Sequence, residues 1–159
     1  MVKSPPSPSR KPLAVTQMKD KLIDTVRQFL LDRPEELAVI FISLGRKRKP
    51  ICLVSSKKWL YFPDKPNGIV IMYSATHRNL HDREIYNKFV ESDTFKGYSH
   101  SNYGHDGSRF LKYFEIGDES IFEELRSILG DISDLIDINS CTVQKSSITG
   151  GILGELRNS

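Results

Sequence analysis

The chain has 159 residues, of which 38% are hydrophobic and 27% charged, and its net charge is +3. This is the composition of one globular domain, and no apolar run approaches the roughly 20 residues that span a bilayer. The first residues lack the apolar stretch of a secretory signal, and two cysteines are too few for a disulfide framework. These features argue against a secreted mini-protein, a membrane protein, a coiled coil or a repeat array, and we expect a cytoplasmic protein.

The charge is unevenly distributed along the chain. Residues 1–65 carry 14 Lys and Arg against 6 Asp and Glu, residues 66–112 carry 6 against 5, and residues 113–159 carry 3 against 9. Such a chain can present a basic surface to an anionic partner, or its two halves can pair with each other across the fold. The sequence leaves both readings open.

The N-terminal part is predicted to be a tail followed by a helix. Residues 1–12 combine four prolines with Ser, Lys and Arg, which predicts a disordered segment. Apolar residues from Met18 to Leu30 recur at helical spacing and predict a helix over residues 16–32. Pro34 ends it, because the residue before a proline avoids the helical region.

Strands dominate the next part of the chain. Residues 37–44 form a continuous β-branched and aromatic run, which is typical of a strand covered on both faces. Residues 51–55 predict a second strand, and the basic sequence at 45–50 predicts the turn of a β-hairpin between them. Residues 59–62 are a candidate third strand, and residues 69–73 predict another.

Two further helices and one strand are predicted in the second half. Asn79 is expected to cap a helix that ends near residue 93, and Asp118 is expected to cap a helix that ends at Gly130. A strand is predicted over residues 110–116. Residues 96–109 are rich in glycine and serine and are predicted to form a long mobile loop with buried flanks at Phe95 and Phe110.

Together these elements predict an α+β fold. The expected architecture is a single domain over residues 13–138, with a mainly antiparallel sheet of four to five strands packed with three helices. Residues 1–12 are predicted to be a disordered Pro/Ser-rich tail, and residues 139–159 a loose C-terminal tail. No membrane contact is expected, and the sequence predicts no particular oligomeric state.

The histidines offer one candidate metal site. All four lie within 29 residues, at positions His77, His81, His100 and His105. Their spacing matches no zinc template, so we expect neither a metal nor a cofactor. Cys52 lies within an apolar strand and is predicted to be a small core residue.

The basic hairpin is the main candidate for a binding surface. Four successive cations repel one another, and an anionic partner would relieve that repulsion, although such turns also serve as solubilising surfaces. The favoured function is a non-catalytic binding or regulatory domain that contacts a nucleic acid or an acidic protein surface. The proposed binding residues, with the tyrosines as stacking platforms, are Arg46, Lys47, Arg48, Lys49, Lys57, Lys58, Tyr98, Tyr103 and Arg109.

The alternative function is a small hydrolase or nuclease that uses the loop at residues 96–109. An imidazole titrates near neutral pH and can act as a general base, while an arginine can stabilise developing phosphate charge. The candidate catalytic residues are His100, His105, Asp106 and Arg109. No recognised catalytic motif accompanies them, so an enzyme is the less favoured interpretation.

Overall fold

A computed structural model describes residues 10–31, 38–45, 48–55, 62, 64–66, 68–76, 79–102 and 107–147. The described residues form three α-helices, six strands and two short 3-10 helices. In chain order these are α1 (Arg10–Leu31), β1 (Ala38–Ser43), β2 (Ile51–Ser55), β3 (Gly68–Thr76), α2 (Leu80–Glu91), a 3-10 helix (Asp93–Gly97), β4 (Ser99–Asn102), β5 (Gly107–Glu115), α3 (Ser120–Asp131), a 3-10 helix (Ile138–Ser140) and β6 (Thr142–Ser147).

The strands form one sheet in the order β4-β5-β3-β2-β1-β6, and every neighbouring pair is antiparallel. The α+β class, the antiparallel sheet and the three helices are therefore confirmed. The predicted number of four to five strands is too low by at least one. The strands that the sequence did not predict, β4 and β6, form the two edges and consist of SHSN and TVQKSS. Native edge strands are often short and polar, and these two sequences contain one aliphatic residue, Val143, so they lack the apolar alternation that indicates a strand.

Several element boundaries differ from the predictions. Residues 142–147 were expected in the loose tail but pair with β1 along its whole length. The predicted loop at 96–109 contains β4 and the first three residues of β5. Residues 10–12 belong to α1 and not to the tail. The helix tolerates Pro12 in its first turn because the N–H that a proline lacks would have no intrahelical partner there.

Other predictions for the tails and the third strand fall on residues that the structure does not describe. These are residues 1–9 and 148–159 of the two tails, and residues 56–61 ahead of Phe62. Phe62 itself is described and lies outside any strand. None of the described helices combines the length and the apolar character that crossing a membrane requires.

The sheet carries an apolar cluster on each face. All three helices contribute to the larger cluster, in which Leu22 of α1, Phe89 of α2 and Leu125 of α3 pack with the sheet. Alternate residues face the other way, as the period of two in a strand requires. That second cluster consists of Val39, Cys52, Val54, Val70, Met72 and Leu111, with Phe62 and Tyr113 packed against it. Strands β1, β2 and β3 are thus buried on both faces, as the apolar run at 37–44 predicted for β1.

The antiparallel order sorts the connections between strands into two groups, one at each end of the sheet. One group surrounds Thr76 at the end of β3 and contains Arg48, Lys49 and the start of α2; we call it the basic end. The other group surrounds Ile69 near the start of β3 and contains the end of α1, the β2–β3 connection with Lys65, and the β5–α3 turn; we call it the acidic end, after the carboxylates of that turn. Ile69 and Thr76 are separated by about 23 Å, since a strand rises about 3.3 Å per residue.

Candidate functional site: the basic end of the sheet

The pairing of β1 with β2 places the basic connection at the basic end. Ile42 pairs with Ile51, so the chain reverses between these two residues, as predicted for a hairpin. Lys49 is exposed and Arg48 is half-buried. Arg46 and Lys47 lie outside the described residues. The structure therefore brings two of the predicted cations to the surface of the sheet end.

A buried carboxylate anchors this connection. The Asp82 side chain is only 1% exposed, and its Oδ1 accepts a hydrogen bond from the backbone N–H of Lys49 at 3.0 Å. Its Oδ2 accepts from the backbone N–H of Thr76 at 3.4 Å. Because a buried carboxylate is costly unless it is hydrogen-bonded, this residue fixes the connection, the end of β3 and the first turn of α2 relative to one another.

The start of α2 adds to the positive character of the basic end. The Asn79 Oδ1 accepts from the N–H groups of His81 at 2.8 Å and Asp82 at 3.4 Å, which confirms the predicted N-cap. The Arg48 guanidinium donates from Nη1 to the His81 carbonyl at 3.4 Å. A helix N-terminus carries a partial positive charge, so the arginine and the helix favour an anion at the same place. Glu84 opposes this field locally, since its carboxylate lies 3.8 Å from the His81 ring.

The pKa values of the two cysteine thiols near this end depend on burial and on the charges of Lys49, Arg48 and Asp137. Burial raises the pKa of the Cys52 thiol to about 12, and the nearby Lys49 charge lowers it by a smaller amount. Burial, together with the Asp137 carboxylate, raises the pKa of Cys141 to about 11, against a lowering by Arg48. Both thiols are therefore protonated at neutral pH and poor nucleophiles. The prediction that Cys52 is a core residue is confirmed, because it is buried in the second apolar cluster.

Two predicted binding residues lie inside the protein. Tyr98 is 8% exposed, and its ring packs on Phe95 with a centroid distance of 4.3 Å. Burial raises the pKa of its phenol far above the usual range, and the Glu124 carboxylate raises it further. Arg109 is 4% exposed, and its Nε donates to the Ser74 hydroxyl at 3.3 Å. The predicted surface role is wrong for both residues, because the segments around them are ordered against the sheet and do not form a loop.

The described catalytic candidates do not converge. His100 lies opposite Phe110 in the sheet, and their rings stack at 4.4 Å. Arg109 directly precedes Phe110, so its side chain points to the opposite face of the sheet. His100 and Arg109 thus cannot act together on one substrate atom. The predicted burial of the flanks Phe95 and Phe110 is confirmed.

The remaining candidate residues belong to two connections between strands, β2–β3 and β4–β5. His105, Asp106 and Tyr103 lie outside the described residues, as do Lys57 and Lys58. The register does fix where residues 103–106 are attached: they join Asn102 to Gly107, and Gly107 pairs with Thr76 at the basic end. Within the part of the chain that the structure describes, no group of three or more His, Cys, Asp or Glu residues is arranged to hold a metal ion.

Comparisons with protein-family models, with curated proteins and with solved structures find no significant match for this chain. A function is therefore argued below from the geometry of the described residues. Sequence reasoning found the cations of this end but missed Asp82, whose spacing from Asn79 indicated only a helix start. A buried carboxylate that binds the backbone of two other elements has no signature in the sequence around it.

Proposed function

We propose that the protein is a non-catalytic binding or regulatory domain that contacts an anionic partner through the basic β1–β2 connection. The partner is a nucleic acid or an acidic protein surface. The observation that carries the proposal is the anchoring of this connection, because Asp82 holds the backbone of Lys49 and the His81 carbonyl accepts from Arg48.

Anchoring matters because binding orders side chains and loops, and that ordering costs free energy. A connection already fixed at its base loses less conformational entropy when it meets a partner. The four cations at 46–49 repel one another in the free protein, and phosphates or carboxylates would relieve that repulsion. The nearby N-terminus of α2 adds a partial positive charge that an anionic partner shares.

Among the described residues, the positions of the other polar groups favour binding over catalysis. His100 and Arg109 face opposite sides of the sheet, and both thiols keep their protons at neutral pH. A chain with two buried and unpaired cysteines suits a reducing compartment, which supports our proposal that the protein acts in the cytoplasm.

The test compares two variants of the full chain that lose the same number of charges. The first replaces Arg46, Lys47, Arg48 and Lys49 with alanine. The control replaces four cations located elsewhere with alanine: Lys21, Lys88, Lys96 and Arg126. Binding to a short DNA duplex and to a polyglutamate peptide is then measured at several salt concentrations. We expect the first variant to lose binding and the control to retain most of it.

The salt dependence identifies the kind of partner. If DNA is bound through about four to six phosphates, the slope of log affinity against log salt is near −4 to −5, and Lys49→Ala flattens it by about one. Binding of polyglutamate without DNA binding assigns an acidic protein partner. Equal losses in the two variants, or binding that does not respond to salt, contradict the proposal. His105→Ala should leave binding intact, whereas an enzyme that used this histidine would lose turnover.

A further inference from the structure

The acidic end holds a cavity that the proposed function does not use. Its volume is about 260 Å³, and it lies between the end of α1, the start of β3 and the β5–α3 turn. The inner wall is apolar and consists of Leu30, Ile69, Ile121 and Phe122. Small-molecule sites typically measure about 300–1,000 Å³, so this cavity suits one or two large side chains better than a cofactor.

Exposed apolar side chains flank the opening. Leu31 at the end of α1 is 70% exposed, and Ile116 in the β5–α3 turn is 40% exposed. Only four large apolar side chains are this exposed in the described part of the chain, and the other two, Leu80 and Val90, lie on α2. An apolar cavity with apolar side chains at its opening is typical of a surface that a partner covers.

The rim around the opening is acidic. Three carboxylates line it, from Glu115, Asp118 and Glu119, against one cation, Arg27. Arg27 is already engaged, because its Nη1 lies 2.6 Å from the Glu119 Oε1 and its guanidinium stacks 4.0 Å above the Phe122 ring. The arginine thus balances one carboxylate and extends the apolar wall.

The other two carboxylates keep their negative charge available. In the described part of the chain, no Lys or Arg forms an ion pair with Glu115 or Asp118. The Asp118 Oδ1 accepts hydrogen bonds from the Ser120 hydroxyl at 2.6 Å and from its N–H at 3.0 Å. These bonds, with a smaller contribution from the Lys112 charge, hold the pKa of Asp118 below its usual value, so the carboxylate is ionised at neutral pH.

We propose that this cavity is a docking site for a short segment of a partner protein that carries one bulky apolar side chain flanked by lysine or arginine. The apolar side chain fills the cavity between Leu31 and Ile116, and the flanking cations meet Glu115 and Asp118. The acidic rim disfavours nucleotides and other anions, because like charges repel. This site lies at the opposite end of β3 from the basic connection, so it stands independently of the proposed function.

The test uses a fluorescein-labelled synthetic peptide with one tryptophan between two pairs of lysines. Two matched peptides replace the tryptophan with serine or all four lysines with glutamine, which is neutral and has no attraction to the basic end, and binding to the full chain is followed by fluorescence anisotropy. We expect the first peptide to bind, and the serine and glutamine peptides each to bind about tenfold more weakly.

Variants of the protein locate the binding site. Leu31→Lys and Ile116→Lys should each weaken binding of the tryptophan–lysine peptide by about fivefold or more, since each removes apolar contact and adds repulsion. Val90→Lys makes a similar change on α2 and should have no effect; circular dichroism checks that each variant is folded. Absence of binding at about 1 mM peptide, equal binding of all three peptides, or equal effects of all three variants would overturn the proposal.

Discussion

The surfaces at the two ends of strand β3 differ in charge and in polarity. At the basic end, a buried carboxylate, Asp82, ties charged residues to the scaffold, and the exposed groups are polar. At the acidic end, carboxylates surround an apolar cavity, and the one lining arginine already pairs with Glu119. One sheet therefore carries two surfaces of different chemistry that are about 23 Å apart.

The comparison also explains the uneven charge of the sequence. Ion pairs join the two halves of the chain where α1 meets α3, through Arg27 with Glu119 and Asp20 with Arg126. Within the described residues, the side chains of Arg48 and Lys49 form no ion pair. Internal pairing thus accounts for part of the charge between the helices, but within the described residues it does not account for Arg48 and Lys49 at the basic end.

The largest expected change in stability is at the acidic end, where a substitution of Gly68 tests how closely β5 packs against the start of β3. A Cβ atom on Gly68 would collide with the Phe114 carbonyl oxygen and would lie 2.6 Å from the Tyr113 ring. Because backbone cannot move aside as a flexible side chain can, Gly68→Ala should lower the free energy of unfolding by about 3 kcal/mol. Urea denaturation measures this loss.

Gly97 provides the matched control for that substitution. The nearest atom to a Cβ placed there is the Lys112 Nζ at 3.9 Å, an ordinary contact. Gly97→Ala should change the free energy of unfolding by less than about 0.5 kcal/mol. Equal effects of the two substitutions would contradict the close approach of β5 to Gly68.

A smaller loss is expected at the basic end, where Asp82→Ala removes the anchor. The backbone N–H groups of Lys49 and Thr76 would lose their charged acceptor, which should cost about 2 kcal/mol of unfolding free energy. Binding to the anionic partner should weaken as well, because the connection loses its fixed base. The control is Asp93→Ala, since the Asp93 pair with Lys96 is exposed and should matter little. A stable Asp82→Ala variant with unchanged binding would show that the anchor has no role.

The third prediction concerns pH and the thiol beside Lys49. The pKa of Cys52 is about 12 in the folded protein and near 9.0 when the chain is unfolded. The protonated thiol is favoured by folding, so this contribution is complete below about pH 9 and is lost as the pH rises towards 12. At pH 10 the loss should be roughly 1 kcal/mol. The free energy of unfolding of the native chain and of Cys52→Ala is measured from pH 8 to pH 10, on either side of the unfolded thiol pKa near 9.0. If both chains lose the same stability over this range, the thiol is not buried.

The smallest effects compare the helix starts at the two ends. Asn79 caps α2 with its side chain, whereas Glu119 at the start of α3 makes no capping hydrogen bond. Asn79→Ala should therefore cost about 0.5–1 kcal/mol of unfolding free energy, and Glu119→Ala less, since it breaks only an exposed pair with Arg27. Thermal unfolding of both variants measures the two losses of stability. A larger loss for Glu119→Ala than for Asn79→Ala would contradict this prediction.

The sequence predicts the interior of the fold better than its edges. Helices α2 and α3 and strands β1, β2 and β3 carry strong periodicity or long apolar runs, because they bury large side chains. Strand β4 has the sequence SHSN and gives no such signal, so its composition predicts a loop. With a loop predicted there, the sequence does not show that His100 and Arg109 point to opposite faces of the sheet.

The sequence also predicts one of the two candidate sites better than the other. The run of cations at 46–49 is continuous in sequence, so composition alone was enough to find the basic connection. The cavity of the acidic end combines Leu31, Ile69 and Ile116 from three distant segments. Only the antiparallel pairing of β3 with β5 brings two of these segments together, and no local pattern records that pairing.

Amide chemical shifts of the full chain, followed by NMR while ligands are added in turn, test the central claim most directly. A short DNA duplex or polyglutamate should shift the amides of Arg48, Lys49 and His81 and leave those of Leu31 and Ile116 unchanged. The tryptophan–lysine peptide, added to a separate sample without the polyanion, should shift the amides that line the acidic cavity, including those of Leu31 and Ile116, and leave those of Arg48, Lys49 and His81 unchanged. Shifts from both kinds of ligand at the same end, or an anion that shifts the amides around the acidic cavity, would contradict the assignment of two separate surfaces.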